Sequence, residues 1–155
     1  MLPAYLTSEY DMTRTTLAAT AVLLASVSSL AVALPRANHW EGKIVGKSSP
    51  KIKGEASMRA GKMANTLVIN VKLTGDAPNM TRPWHVHTGS CATAGGVYGA
   101  PTAYTPLAGN KKGASKGMAT LSMPVPADGS YYVNIHESAT AMATIIACGD
   151  LKFEK

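Results

Sequence analysis

The sequence predicts an all-β sandwich or barrel behind an N-terminal export signal. Three observations carry this expectation. Beyond residue 33 the chain breaks into short β-prone runs separated by Gly, Pro, Asn and Asp, with no convincing helical periodicity. Within Asn65 to Thr74, Leu67, Ile69, Val71 and Leu73 fall on one face. On the other face Thr66, Asn70, Lys72 and Thr74 are polar, and only Val68 departs from the alternation, the mark of a half-buried antiparallel strand. Ahead of all this, the apolar run Leu17 to Leu30 follows Arg14 and ends in Ala31-Val32-Ala33. That is the charged, apolar, small-x-small order of a signal peptide.

The chain of 155 residues is then read in three parts. Residues 1–33 are the signal region, with Met12-Thr13-Arg14 the better translation start. Residues 34–39 are a short leader, with His39 expected to be solvent-exposed in it. Residues 40–155 are one β domain. Within the domain, Lys43 to Gly46 reads as a first strand and Ile52 to Arg59 as a second, ended by Ala60-Gly61-Lys62. Asn65 to Thr74 is the third, broken by Gly75-Asp76-Ala77-Pro78. Trp84 to Thr88 is the next. Gly89 to Gly113, rich in Gly, Ala, Thr and Pro, is expected to be mostly loop. Lys116 to Met123, Tyr131 to His136 and a short Thr144 to Ala147 complete the set.

Charge and cysteine usage narrow the class. Losing Arg14, Glu9 and Asp11 with the signal leaves 14 basic and 7 acidic residues, a net charge of about +7. The basic residues are scattered, and no aromatic-interleaved basic stripe supports nucleic-acid binding. The charge serves solubility or attracts a small anion or an anionic surface. A membrane is expected to matter only through an uncleaved signal segment. Two cysteines in an exported chain favour one disulfide, with soft metal ligation as the alternative. The predicted location is secreted or periplasmic.

The chemistry concentrates in Pro83-Trp84-His85-Val86-His87-Thr88-Gly89-Ser90-Cys91, in Tyr131 to Glu137 and in Ile145 to Asp150. Side chains at i and i+2 of a strand share a face, so His85 and His87 project together while Trp84 and Val86 enter the core. On the later strand Tyr132, Asn134 and His136 share a face, and His136 can add a third imidazole. Imidazole suits zinc, copper, iron or nickel. Glu137 points to the opposite face from His136. For Met80, Met118, Met123 and Met142 core filling is preferred to soft metal ligation. Asp150 is read as a surface or turn residue in preference to one that orients a histidine. Tyr98 and Tyr104 cap the site or anchor the loop after Cys91. Asn79-Met80-Thr81 fits a glycosylation sequon. No hydrolase triad, phosphate loop or paired-carboxylate motif stands out.

Taken together, Pro83 to Cys91, Val133-Asn134-Ile135-His136 and Ile146-Ala147-Cys148-Gly149 resemble the copper/zinc superoxide dismutase family. The resemblance implies a Greek-key sandwich or flattened barrel of about eight antiparallel strands. It implies His85, His87 and His136 as ligands of one copper ion, a Cys91–Cys148 disulfide and superoxide as substrate. The family's bridging histidine and zinc ligands have no counterpart, because Ala92 to Ile135 contains no histidine and only Asp128 as a carboxylate. Zinc is therefore not expected. The family's substrate-guiding arginine falls at Ile145. Three readings follow: a copper-only enzyme cycling between Cu(II) and Cu(I), a non-enzymatic copper carrier or buffer, or a metal-free β-sandwich of the related chordin type.

Overall fold

The computed structural model describes residues 38–155. The signal region 1–33, the Met12 start and residues 34–37 of the leader lie outside the described residues. The elements are β1 (His39–Gly46), β2 (Lys53–Ala60), β3 (Leu67–Thr74), β4 (Thr81–Arg82), β5 (Trp84–Gly89), β6 (Ala94–Val97), a 3-10 turn (Pro101–Ala103), β7 (Leu107–Ala108), β8 (Ser115–Leu121), β9 (Tyr131–His136) and β10 (Ile145–Glu154). Eight of the strands form one antiparallel sheet in the order β6-β5-β9-β10-β1-β2-β3-β8, curled into a half-barrel. The short β4 and β7 pair separately.

Alternation decides what fills the curl. On β3, Leu67, Ile69, Val71 and Leu73 are at most 1% exposed, while Asn70, Lys72 and Thr74 face solvent. Each such buried aliphatic contributes roughly 1.5–3 kcal/mol over its exposed state. Asn65, counted in that strand from sequence, instead holds φ 54° in the preceding turn, and the strand starts at Leu67. Trp84, Val86, Val133 and Ile135 fill the other half of the core from β5 and β9. The two indole N–H groups do not go unpaired. Trp40 donates to Pro126 O and Trp84 to Thr105 O, each at 2.8 Å.

Three expectations change. His39 is not an exposed leader residue: it opens β1, pairs with Glu154 of β10 and is 1% exposed. The cause is the length of β10, which runs on to Glu154 where the sequence suggested only Thr144 to Ala147. Cys148, Gly149 and Asp150 have weak strand propensity, but β10 lies between β9 and β1 and both neighbours impose pairing. Gly149 makes this packing feasible, since a Cβ there would lie 2.5 Å from Lys43 O. The Gly89 to Gly113 segment is mostly loop, as expected, and within it lie β6, the 3-10 turn and β7. Of the methionines, Met123 packs against the core, whereas Met118 and Met142 are exposed.

Candidate metal centre

The site is set by the register of two strands. β5 and β9 pair Trp84 with Ile135, His85 with Asn134, Val86 with Val133 and His87 with Tyr132. Residues directly opposite share a face. The apolar members therefore point into the curl, and His85, His87, Tyr132, Asn134 and His136 occupy the outer face. Every residue of β9 is buried, so this part of the outer face is covered as well as the inner one.

One ring nitrogen from each of His85, His87 and His136 lies within 4.8 Å of the others. Two of the three rings have a backbone partner that fixes the tautomer. His136 Nδ1 donates to Met142 O at 2.6 Å, and His87 Nδ1 donates to Gly95 O at 3.1 Å. Both Nε2 atoms are thereby left as lone-pair acceptors. His136 Nε2 lies 3.2 Å from His85 Nδ1. Two nitrogens each about 2.0 Å from one ion, at about 90–110°, stand roughly 2.8–3.3 Å apart. His87 Nε2 is buried with no hydrogen-bond partner. Imidazoles held by carbonyls at Nδ1, as His87 and His136 are, with Nε2 atoms turned to a common point, are the arrangement in which outer hydrogen bonds orient metal ligands. The residues present fit a metal ion.

The electrostatics agree. Burial, and then the neighbouring His136 and His87, hold the His85 pKa down at about 4. Burial also lowers that of His136, against the raising effect of its bond to Met142 O. Both are neutral imidazoles at neutral pH, the form that ligates metal. Tyr132 stacks on His87 with ring centroids 5.2 Å apart, and Tyr104 meets the edge of His85 at 5.2 Å. Burial pushes the Tyr104 phenol up, so it stays a neutral donor, here to Tyr98 O at 2.6 Å. Tyr104 thus both flanks the site and anchors the loop, whereas Tyr98 packs edge-on against Tyr131.

Cys91 and Cys148 are joined in a disulfide, with Cα atoms 6.0 Å apart. The Cys91 turn also bonds to Asp150, whose Oδ1 accepts the Cys91 N–H at 2.7 Å. Asp150 therefore fastens the loop and does not orient a histidine. Ile145, half-buried, pairs with His136 across β9 and β10, so the side chain opposite this histidine is uncharged. Arg82, nearby in sequence, is buried and bound to Asp76 at 2.8 Å, which cancels its charge. Among the described residues no carboxylate or thiol joins the three histidines.

Sequence reasoning named the three imidazoles and missed what holds them. Gly95 O and Met142 O are backbone atoms, and no residue identity announces them. The sequence places Tyr132 on the face of His136, four residues away on the same strand, but its stack on His87 depends on the cross-strand register. In comparison with known proteins, no family model matches this chain and no curated protein matches it. Among the described residues no helix is long and apolar enough to cross a membrane.

Proposed function

We propose that this chain is an exported copper protein of superoxide dismutase-like fold, holding one ion through His85, His87 and His136. The carrying observation is the buried, unpartnered Nε2 of His87, which converges with nitrogens of two other neutral or tautomer-fixed histidines. An all-imidazole set suits copper, and among divalent ions nitrogen sites bind Cu(II) most tightly. The oxidised Cys91–Cys148 pair is compatible with an oxidising compartment outside the cytosol. Bound there, copper would supply one-electron exchange between its +1 and +2 states. The chain's own share is to present three nitrogens, to hold His87 and His136 in one tautomer each, and to cover the outer face of β9. His85 would hold its proton on Nε2 in place of Nδ1, which frees the Nδ1 lone pair that faces the same point as His136 Nε2.

Superoxide is the substrate that the sequence resemblance suggests. A second reading, copper carriage without turnover, is favoured by one observation: Ile145 beside His136 offers no charge to a small anion. Metal analysis of the chain purified from its export compartment is expected to give about one copper per chain. Its Cu(II) electron paramagnetic resonance spectrum should carry nitrogen hyperfine splitting. His85→Ala should weaken binding by more than the roughly 10–100-fold lost with an outer hydrogen-bond partner. Retention of less than about half an equivalent through desalting would overturn the site. Superoxide decay no faster than with free copper would leave carriage.

A further inference from the structure

We propose that the Asp76–Arg82 ion pair is a positioning device for His136, gripping the loop that fixes this histidine's tautomer. The inference rests on the copper reading for its purpose and on the hydrogen-bond geometry for its existence.

Arg82 ends β4, immediately before Pro83 and three residues before His85. Its guanidinium makes three bonds. Nε donates to Asp76 Oδ2 and Nη2 to Asp76 Oδ1, each at 2.8 Å. Nη1 donates to Glu137 O at 2.6 Å. The next carbonyl along, Pro83 O, accepts the His136 N–H at 2.9 Å. One dipeptide therefore grips the chain on both sides of the His136 side chain, through its own amide and the carbonyl of the residue after it. Glu137 also opens the loop that closes at Thr144, its N–H donating to Thr144 O at 2.9 Å. Met142 O, which takes the His136 Nδ1 proton, lies inside that loop. A shift of Glu137 O carries Met142 O with it, and the imidazole loses its fixed tautomer.

The anchor is itself fixed. Asp76 N–H donates to Gly113 O at 3.2 Å, and Asp76 Oδ1 also accepts the Ala77 N–H at 2.7 Å. The bond from Arg82 holds the Asp76 carboxyl below its ordinary range, so the fork persists across neutral pH. Two considerations separate this from simple stabilisation. A buried ion pair is often replaceable by apolar packing without loss, but apolar packing cannot address a carbonyl in a chosen direction. A lone guanidinium close behind a copper ligand would also repel the ion, and Asp76 cancels that charge.

Arg82→Lys keeps a cation for Asp76 but cannot fork to Glu137 O as well, and Asp76→Asn keeps the shape while loosening the fork. The first readout needs no metal. In the nitrogen-labelled metal-free protein at alkaline pH, the long-range proton–nitrogen spectrum reports the His136 tautomer. Wild type should show Nδ1–H alone, and both variants a mixture of the two forms. The second readout is copper affinity by chelator competition, expected to fall about 10–100-fold, with altered nitrogen hyperfine splitting. Folded variants that keep the single Nδ1–H tautomer overturn the proposal, and if Arg82→Lys fails to fold, Asp76→Asn decides by the same spectrum. A wild-type protein that holds no copper would remove the copper reading, while the tautomer spectrum still judges the clamp. Copper bound with tautomer and affinity unmoved in both variants would remove the clamp alone.

Discussion

Across β10, β1, β2 and β3 the outer face of the sheet is exposed and charged, and opposite charges face one another in register. Lys152 stands across from Glu41, Lys43 from Glu55, and Glu55 from Lys72, the last pair closing to 2.7 Å. The same face continues through Asp150 to Tyr132 and His87 on β9 and β5, where charge stops. There the side chains are His85, His87, Tyr132, Asn134 and His136, all half-buried or buried. An exposed polar group can pair with a neighbour or with water at little cost. A covered one must be neutral and must find its partners inside the protein. His85 and His136 meet the first demand through lowered pKa values. Backbone carbonyls meet most of the second. The remainder, His87 Nε2, is what a ligand would satisfy.

The disulfide lies at the seam between the two regions, because Cys148 pairs with Asn134 on one side and Val45 on the other. It closes a span of 57 residues. Replacing both cysteines by alanine should cost about 4 kcal/mol in urea unfolding, by the loop-entropy relation. The loss should be uneven. Amide exchange should accelerate in residues 90–97, which carry Gly95 O, while β2 and β3 keep their protection. Equal loosening of both regions would erase the distinction between them.

A smaller effect comes from moving charge across the seam. Ile145→Arg would place a cation beside His136. If superoxide reaches a copper ion held by the three histidines, its rate constant should rise about tenfold at low ionic strength and fall back as salt is added. A rate indifferent to both substitution and salt would mean that the covered region is closed to small anions, and would favour carriage.

The two regions were not equally legible in the sequence. Strand alternation exposed the core of β3 and the shared face of His85 and His87, because a period of two residues is a local property. The three imidazoles and the two cysteines could be named for the same reason: their side chains carry the chemistry. The ends of β1 and β10 were misjudged, since pairing between residues over a hundred positions apart extends both strands beyond what propensity supports. His39 was lost to that error. The supports of the site were invisible for another reason. Gly95 O, Met142 O and Glu137 O are main-chain atoms, placed by turns that any of several residues could form, and nothing in the sequence pairs Arg82 with Asp76.

Acid titration of the metal-free protein should separate the covered histidines from the ion-paired carboxyls by the order in which they fail. His85 has a folded-state pKa of about 4 against an ordinary 6.5, so between those values the unfolded chain binds a proton that the folded chain refuses. Its contribution is present above about pH 6.5 and is lost as pH falls towards 4; below that both states are protonated and no further loss occurs. His136, lowered in the same direction, adds to the slope. The ion-paired carboxyls behave differently. Asp76 is held below its ordinary 3.8 by Arg82, and Glu55 below 4.5 by Lys72. Their contributions are present above those ordinary values and disappear only as pH falls through the lower folded ones. Thermal unfolding should therefore show one decline from about pH 6.5 to 4 and a second at more acid pH. His85→Gln should flatten the first and leave the second. A single decline confined to the acid range would mean that the covered histidines titrate like exposed ones, and that the outer face of β5 and β9 is open to water.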